Sequence, residues 1–283
     1  MGLLAGPAMA EPAGCPALVA AVEDVTGLDL SAPPAGAEDG WCVLDGARSS
    51  GEGDVRVTVE RLRLRGEAAG EALLSLELDA RGLRVTPALS NRDVPGWLRD
   101  LMRLQSAEVD LSLKHEEAGD RLLVERGRLG LSGGSELVLR AEVAGAELSA
   151  ASVLTGRVTK LYLEWKNDGR VLRAAMEAVG AGLEPGATGT KAVLAAREAL
   201  SGLVEAVPEG SLPGESSKAL TAFIAALPQG RGRLVLMAGS ESGIGAAQLG
   251  LLALSDDPSG PEALARLFRG VDVAADWQPG IAP

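Results

Sequence analysis

Residues 54–64 read DVRVTVERLRL, and their reading decides the fold. Val55, Val57 and Val59 alternate with polar neighbours, the period of two that marks a strand with one buried face. Leu62 and Leu64 then carry the alternation on with the opposite parity. The same slip recurs further along the chain. Leu74, Leu76 and Leu78 give way to Leu83 and Val85, Leu122 and Val124 to Leu129 and Leu131, and Leu137, Leu139 and Val143 to Leu148. A one-residue slip turns every later side chain to the other face, so each break predicts a β-bulge, a tight turn or a strand crossing between two cores.

Part of this stretch is spelled twice. Gly53-Asp54 leads to Val59-Glu60-Arg61, then Arg63-Leu64, and Gly119-Asp120 leads to Val124-Glu125-Arg126, then Arg128-Leu129. A duplicated two-strand unit favours an antiparallel meander over a parallel, helix-crossed sheet. One helix is expected to interrupt this half, because Val94, Trp97, Leu98, Leu101 and Leu104 fall at helical spacing and Pro95 suits a first turn.

After Asn167-Asp168-Gly169 the period becomes helical. Val171, Leu172, Ala175, Met176 and Val179 form one apolar stripe. Val193, Ala196, Leu200, Leu203, Val204 and Val207 form a second, and Leu220, Phe223, Ile224 and Leu227 a third, which Ser216 or Ser217 could cap and Pro228 ends. Residues 180–189 and 208–214 read as loops. A short strand at 233–238, a helix at 245–254, another short helix opened by Pro261 and a last strand at 271–277 complete the chain. The expected fold is α+β: a large antiparallel, curved sheet or meander with a helical block at about 170–228 packed on its exposed face. The domains expected are a signal remnant at 1–10, a disulfide-closed segment at 11–53 and a β-rich domain at 54–283 carrying the helical insertion 170–228.

The 283 residues suffice for a substantial core. Hydrophobic residues make up 46% but aromatics only 2%, so that core must be built from Leu, Val and Ala. Net charge is −12, from 27 basic and 39 acidic residues, and such a field repels nucleic-acid backbones and anionic lipid surfaces. No stretch approaches the roughly 18 to 20 apolar residues of a membrane-crossing helix, so the mature chain is not expected to span a membrane.

Ala8-Met9-Ala10 before Glu11-Pro12 resembles the cleavage site of a secretory signal, although a basic leading region is absent. Either the true start lies upstream or this is an ordinary terminus. Cys15 and Cys42, with no third Cys, fit a disulfide of an exported protein better than a metal site; two unrelated thiols are the alternative.

Residues 233–250, RLVLMAGSESGIGAAQLG, look like the nucleotide loop of the short-chain dehydrogenases, with Gly239, Gly243 and Gly245 in the glycine positions and Tyr162 and Lys166 spelling that family's Tyr-Lys pair. An NAD(P)-dependent dehydrogenase is therefore the remote alternative, and several features oppose it. The residues after Gly245 are too few for a dinucleotide-binding sheet, the order of the two motifs is reversed, and Tyr162 sits in an alternating strand. Four residues of strand span about 13 Å, where a helix would bring such a pair to about 6 Å. The glycines are read instead as a strand-to-helix turn, with no cofactor.

No catalytic centre is expected elsewhere. His115, the single histidine, lies at the end of an apolar alternation and is read as structural; it cannot build a histidine zinc site alone. No nucleophile elbow accompanies it. Asp256-Asp257-Pro258 reads as a helix stop. Arg61, Arg63, Arg65, Arg126 and Arg128 either line an anion-binding face or form the solvated side of strands.

The repeated amphipathic strands over about 54–165 resemble the β-rich periplasmic portions of AsmA-like envelope proteins. The resemblance implies an envelope role near lipids, with a curved sheet offering an apolar groove. The expectation is a non-enzymatic, periplasmic or otherwise exported protein that binds a lipid-like ligand or an envelope partner. A structural module of the envelope is the alternative.

Overall fold

The computed structural model describes residues 11–32, 36–49, 55–70, 72–87, 106–149, 152, 155–168, 171–228, 230–245 and 265–280. The signal-like segment 1–10, the helix expected at 94–104, Asp256-Asp257-Pro258 and the start of the helix expected at Pro261 lie outside the described residues.

One antiparallel, curved, open sheet of 12 strands forms the body of the molecule. Its path is a meander in sequence order: β4 (Trp41–Ser49), β5 (Val55–Ala69), β6 (Ala72–Pro87), β7 (Ala107–Glu116), β8 (Arg121–Leu131), β9 (Glu136–Ala144), β10 (Arg157–Asn167), β11 (Gly232–Gly245) and β12 (Val271–Pro279). Three short strands finish the first edge. β2 (Leu30–Ser31) and β3 (Gly36–Glu38) pair with β4, and β1 (Glu11–Pro12) pairs with β5.

The parity slips are real, and they take two forms. In β4, β5 and β6 the slips fall side by side. Ala47 faces Val59, Leu44 faces Leu62 and Leu62 faces Ala80, so Gly46, Glu60 and Gly82 form a line across three strands at which each swaps faces. Gly46 and Gly82 take the left-handed conformation, with φ of 66° and 63°, which glycine alone adopts without penalty. Because the three strands step together, their pairing register survives the crease. Between β6 and β7 the step is absorbed by an extra residue in β6, and Glu125 and Arg126 make a β-bulge of the same kind in β8. Each copy of the repeated Val-Glu-Arg spelling thus places its glutamate at a step and its arginines on the polar face.

Helix α1 (Cys15–Thr26) opens with Pro16 in its first turn and ends on Gly27, whose φ of 66° closes it. Leu18 and Val22 press into Leu44, Ala47, Val59, Leu62, Leu64, Leu76 and Ala80. Burying each contributes about 1.5–3 kcal/mol relative to exposure. Gly66 makes the approach possible, because a Cβ there would lie 2.3 Å from the Ser75 carbonyl oxygen and 3.0 Å from Leu18. A disulfide joins Cys15, at the head of the helix, to Cys42 in β4, with the Cα atoms 5.3 Å apart.

The helical block consists of α2 (Val171–Leu183), α3 (Gly189–Ala206) and α4 (Gly214–Ala226). Its stripes satisfy one another: Met176, Val193, Ala196 and Leu227 form a core with Leu172, Leu200 and Phe223. The loop expected from residue 180 is a continuation of α2, because Gly180 is where α2 and α3 touch; a Cβ there would fall 1.8 Å from the Ala192 carbonyl oxygen. The block was expected on the sheet's face, and it meets the sheet at the β12 edge instead. Val273 N–H donates to the Ser211 carbonyl at 2.8 Å and Ala275 N–H to Ser216 Oγ at 3.1 Å, while Phe223 meets Trp277 edge-on. Ser216 therefore serves the sheet edge and does not cap α4, whose N-cap position is Pro213. Unpaired edge N–H groups invite foreign strands, and these contacts occupy two of them.

Candidate ligand-binding face

The steps keep one kind of side chain on one side from β4 to β12. A single rung of pairing runs Cys42, Leu64, Leu78, Leu111, Gly127, Leu139, Leu163, Leu236, Ala275 across nine strands. The next runs Leu44, Leu62, Ala80, Val109, Leu129, Leu137, Trp165, Leu234, Trp277. Under α1 these rungs are sealed, with Leu64 at 0% exposure. Beyond α1, Leu78, Leu111, Leu139, Leu163 and Leu236 are only half-buried. Gly127 notches the middle of the leucine rung, and a Cβ there would come no closer than 3.4 Å to its neighbours, which is ordinary contact distance. Half-buried leucines on consecutive strands form a surface suited to an extended apolar ligand.

Few polar atoms interrupt this face. His115 pairs with Leu122 in the ladder, and its Nε2 lies 3.9 Å from Asp120 Oδ1. Asn167 Nδ2 donates to the Gly230 carbonyl where the helical block returns to the sheet.

The opposite face is a lattice of charge. Arg63 pairs with Asp79 at 3.0 Å, Arg65 with Glu77 at 2.8 Å, and Arg128 with Asp110 at 3.2 Å and with Glu136. Arg81 reaches Asp79, Glu108 and Asp110, and Arg61 reaches Glu38. Burial pushes the Asp79 carboxyl up, but hydrogen bonds and charge from Arg81 and Arg63 outweigh it and hold the group below its usual range. The Trp41 ring lies between Arg63 and Arg65, 4.9 and 4.6 Å from its centroid. Of the five arginines singled out in the sequence, four are engaged by acids on this face; Arg126 faces Ser112 across the ladder.

The dehydrogenase-like stretch is built differently from both of its sequence readings. Gly239, Gly243 and Gly245 all lie within β11, which extends well past the short strand expected at 233–238. The expected turn into a helix is instead a wide bulge. Val158 faces Ile244 and Lys160 faces Gly239, so residues 240–243 are looped out of the ladder with β10, while Ser240 still pairs with Val271 of β12. Gly243 N–H donates to Ser240 Oγ at 3.1 Å and Gly243 has φ of 72°, which together hold the bulge. Gly245, where a helix was expected to start, is the last residue of β11, and the rest of that expectation, 246–254, lies outside the described residues. Tyr162 and Lys166 stand along the strand β10, and the Tyr162 hydroxyl donates to Glu164 Oε2 at 2.7 Å. Glu164 in turn receives Arg233 at 2.6 and 2.8 Å. The Arg233 hydrogen bonds, then that of Tyr162, pull the Glu164 carboxyl down to about 2. The Tyr162 hydroxyl is pushed up, first by that hydrogen bond and then by burial, which opposes its ionisation as a base.

Gly127 and the continuous leucine rung were not singled out from the sequence, because they emerge only once the register between strands is known. Among the described residues, no helix is long and apolar enough to cross a membrane. In comparison with known proteins, no family model matches the chain and no curated protein matches it.

Proposed function

We propose that this chain is a non-enzymatic, exported protein of the periplasmic type that holds a lipid-like ligand along the apolar face of its curved sheet, in the manner implied by its resemblance to AsmA-like envelope proteins. The observation that carries the reading is the run of half-buried Leu78, Leu111, Leu139, Leu163 and Leu236 along one rung, interrupted by Gly127. The intramolecular disulfide is compatible with an oxidising compartment and so supports export. The test is native mass spectrometry of the purified protein with extraction of what it carries. A bound apolar mass is expected, and Gly127→Leu, which fills the notch in the leucine rung, is expected to release it while the protein remains folded. A chain that carries nothing and takes up no monoacylglycerol would sink the reading.

A second reading, an assembly module of the envelope, is favoured by one observation. Val179, Leu183 and Leu194 are 48%, 55% and 48% exposed on α2 and α3. Recovery of a stoichiometric envelope partner that Leu183→Asp abolishes would support it over the lipid reading.

A further inference from the structure

The polar face neutralises most of its arginines strand by strand; among the described residues Arg126 and Arg140 lack an acid partner, and three more such arginines lie at one corner. Arg48, Arg56 and Arg84 are exposed, and among the described residues none of the three has a carboxylate partner. They lie together. Arg48 and Arg84 flank Thr58 on one rung, and Arg56 faces Thr86 at the next polar position along β5. Strand spacing and rise put the three Cα atoms about 8–10 Å apart. From that spacing three guanidinium forks are long enough to reach one tetrahedral oxyanion, each able to offer two parallel N–H donors. The Thr58 hydroxyl stands between them as a further donor. Of the described acids nearby, Glu38 is engaged by Arg61 and Glu108 by Arg81, while Glu60, two residues from Thr58 along β5, lies against Gly82 and forms no ion pair with the trio. Like charges on adjacent strands repel, yet among the described residues no carboxylate pairs with this trio.

We infer that Arg48, Arg56 and Arg84, with Thr58, bind a small phosphate-type oxyanion: inorganic phosphate or a compact phosphate monoester. The occupant is small because the net charge of −12 repels an extended anionic surface as a whole. A single oxyanion at the corner is screened from distant acids beyond a Debye length of about 8 Å and meets only the local cations. This site lies on the face opposite the leucine rungs and does not depend on the lipid reading.

The experiment titrates inorganic phosphate, and separately glycerol 3-phosphate, into the full chain at about 0.15 M ionic strength by calorimetry and amide NMR. Saturable binding of both is expected, with shifts confined to residues around Thr58. Arg56→Ala and Arg84→Ala are expected to weaken it roughly tenfold or more, equivalent to about 1.4 kcal/mol. Arg65→Ala, taken from the acid-paired lattice, should leave it unchanged. No saturable phosphate binding would overturn the inference. So would equal weakening by Arg65→Ala, or binding to phosphatidylglycerol vesicles without binding to inorganic phosphate, which would make the corner a membrane contact. The substituted side chains are exposed, and unchanged melting temperatures of the variants would confirm that the comparison is between folded proteins.

Discussion

Glu164 serves two partners at once, accepting from the Tyr162 hydroxyl on its own strand and from Arg233 on the next. Its carboxyl ionises near 2 in the folded chain, below an ordinary value of 4.5. A group depressed in this way stabilises the fold fully at pH values above its unfolded pKa, and the contribution drains away as the pH falls from about 4.5 towards 2. Arg233 is 38% exposed, so solvent screens the pair and keeps its contribution small. Glu164→Gln is expected to lower the urea midpoint at pH 7 and to converge on the parent chain only once the pH is below the folded pKa of Glu164, where both carry a neutral side chain. A gap between them that stays constant over this interval would show that the pair contributes packing and not charge.

The strands show how much was written in the sequence. Period-two spelling located β5, β6, β8 and β9 and the slips near Glu60, Gly82 and Glu125 but not the bulge at Leu74 in β6, the cysteine pair was paired correctly, and the three apolar stripes after Asn167 became three helices. The aligned crease was hidden, because Gly46, Glu60 and Gly82 are neighbours only through the register of three strands. The route of β11 through its glycines was hidden for another reason. A bulge and a strand-to-helix turn both call for a glycine at positive φ, so the same letters serve either. The docking of the helical block on an edge was likewise illegible, since three stripes that bury one another need no sheet face. The candidate ligand face was legible strand by strand, as alternating leucines, but its continuity was not. The crease and the bulge respond differently to substitution. Gly82→Ala forces a Cβ into the left-handed region and is expected to cost about 1–2 kcal/mol, with Glu60 swinging aside. Gly239→Ala meets no neighbour within 4 Å and takes no unusual φ, so it should melt with the parent chain. Thermal denaturation of the two variants separates them; a neutral Gly82→Ala would mean that the crease is not under conformational constraint.

At the scale of the whole molecule, the sheet is fastened at both ends by different means: the helical block holds β12, and α1 holds β4 to β6 through apolar contact and a disulfide. The cross-link spans 27 positions of chain, and its removal frees about 3–4 kcal/mol of loop entropy in the unfolded state. Cys42→Ala is therefore expected to lower stability by that order, measured by urea denaturation against the oxidised parent, with the α2–α4 signals in amide spectra unmoved. Loss of those signals would tie the helical block to the far end of the sheet.

The order of the strands also bears on how the chain finds its fold. From β4 to β10 each strand pairs with the one made just before it, so the sheet can zip hairpin by hairpin, each closure bringing together segments only a short distance apart in sequence. The exception is β11, which must wait for three helices to be laid down before it can reach β10. Assembly of this molecule should thus proceed in two tempos, a rapid run of local closures and then one slower docking that brings in β11, β12 and the helices that guard the last edge.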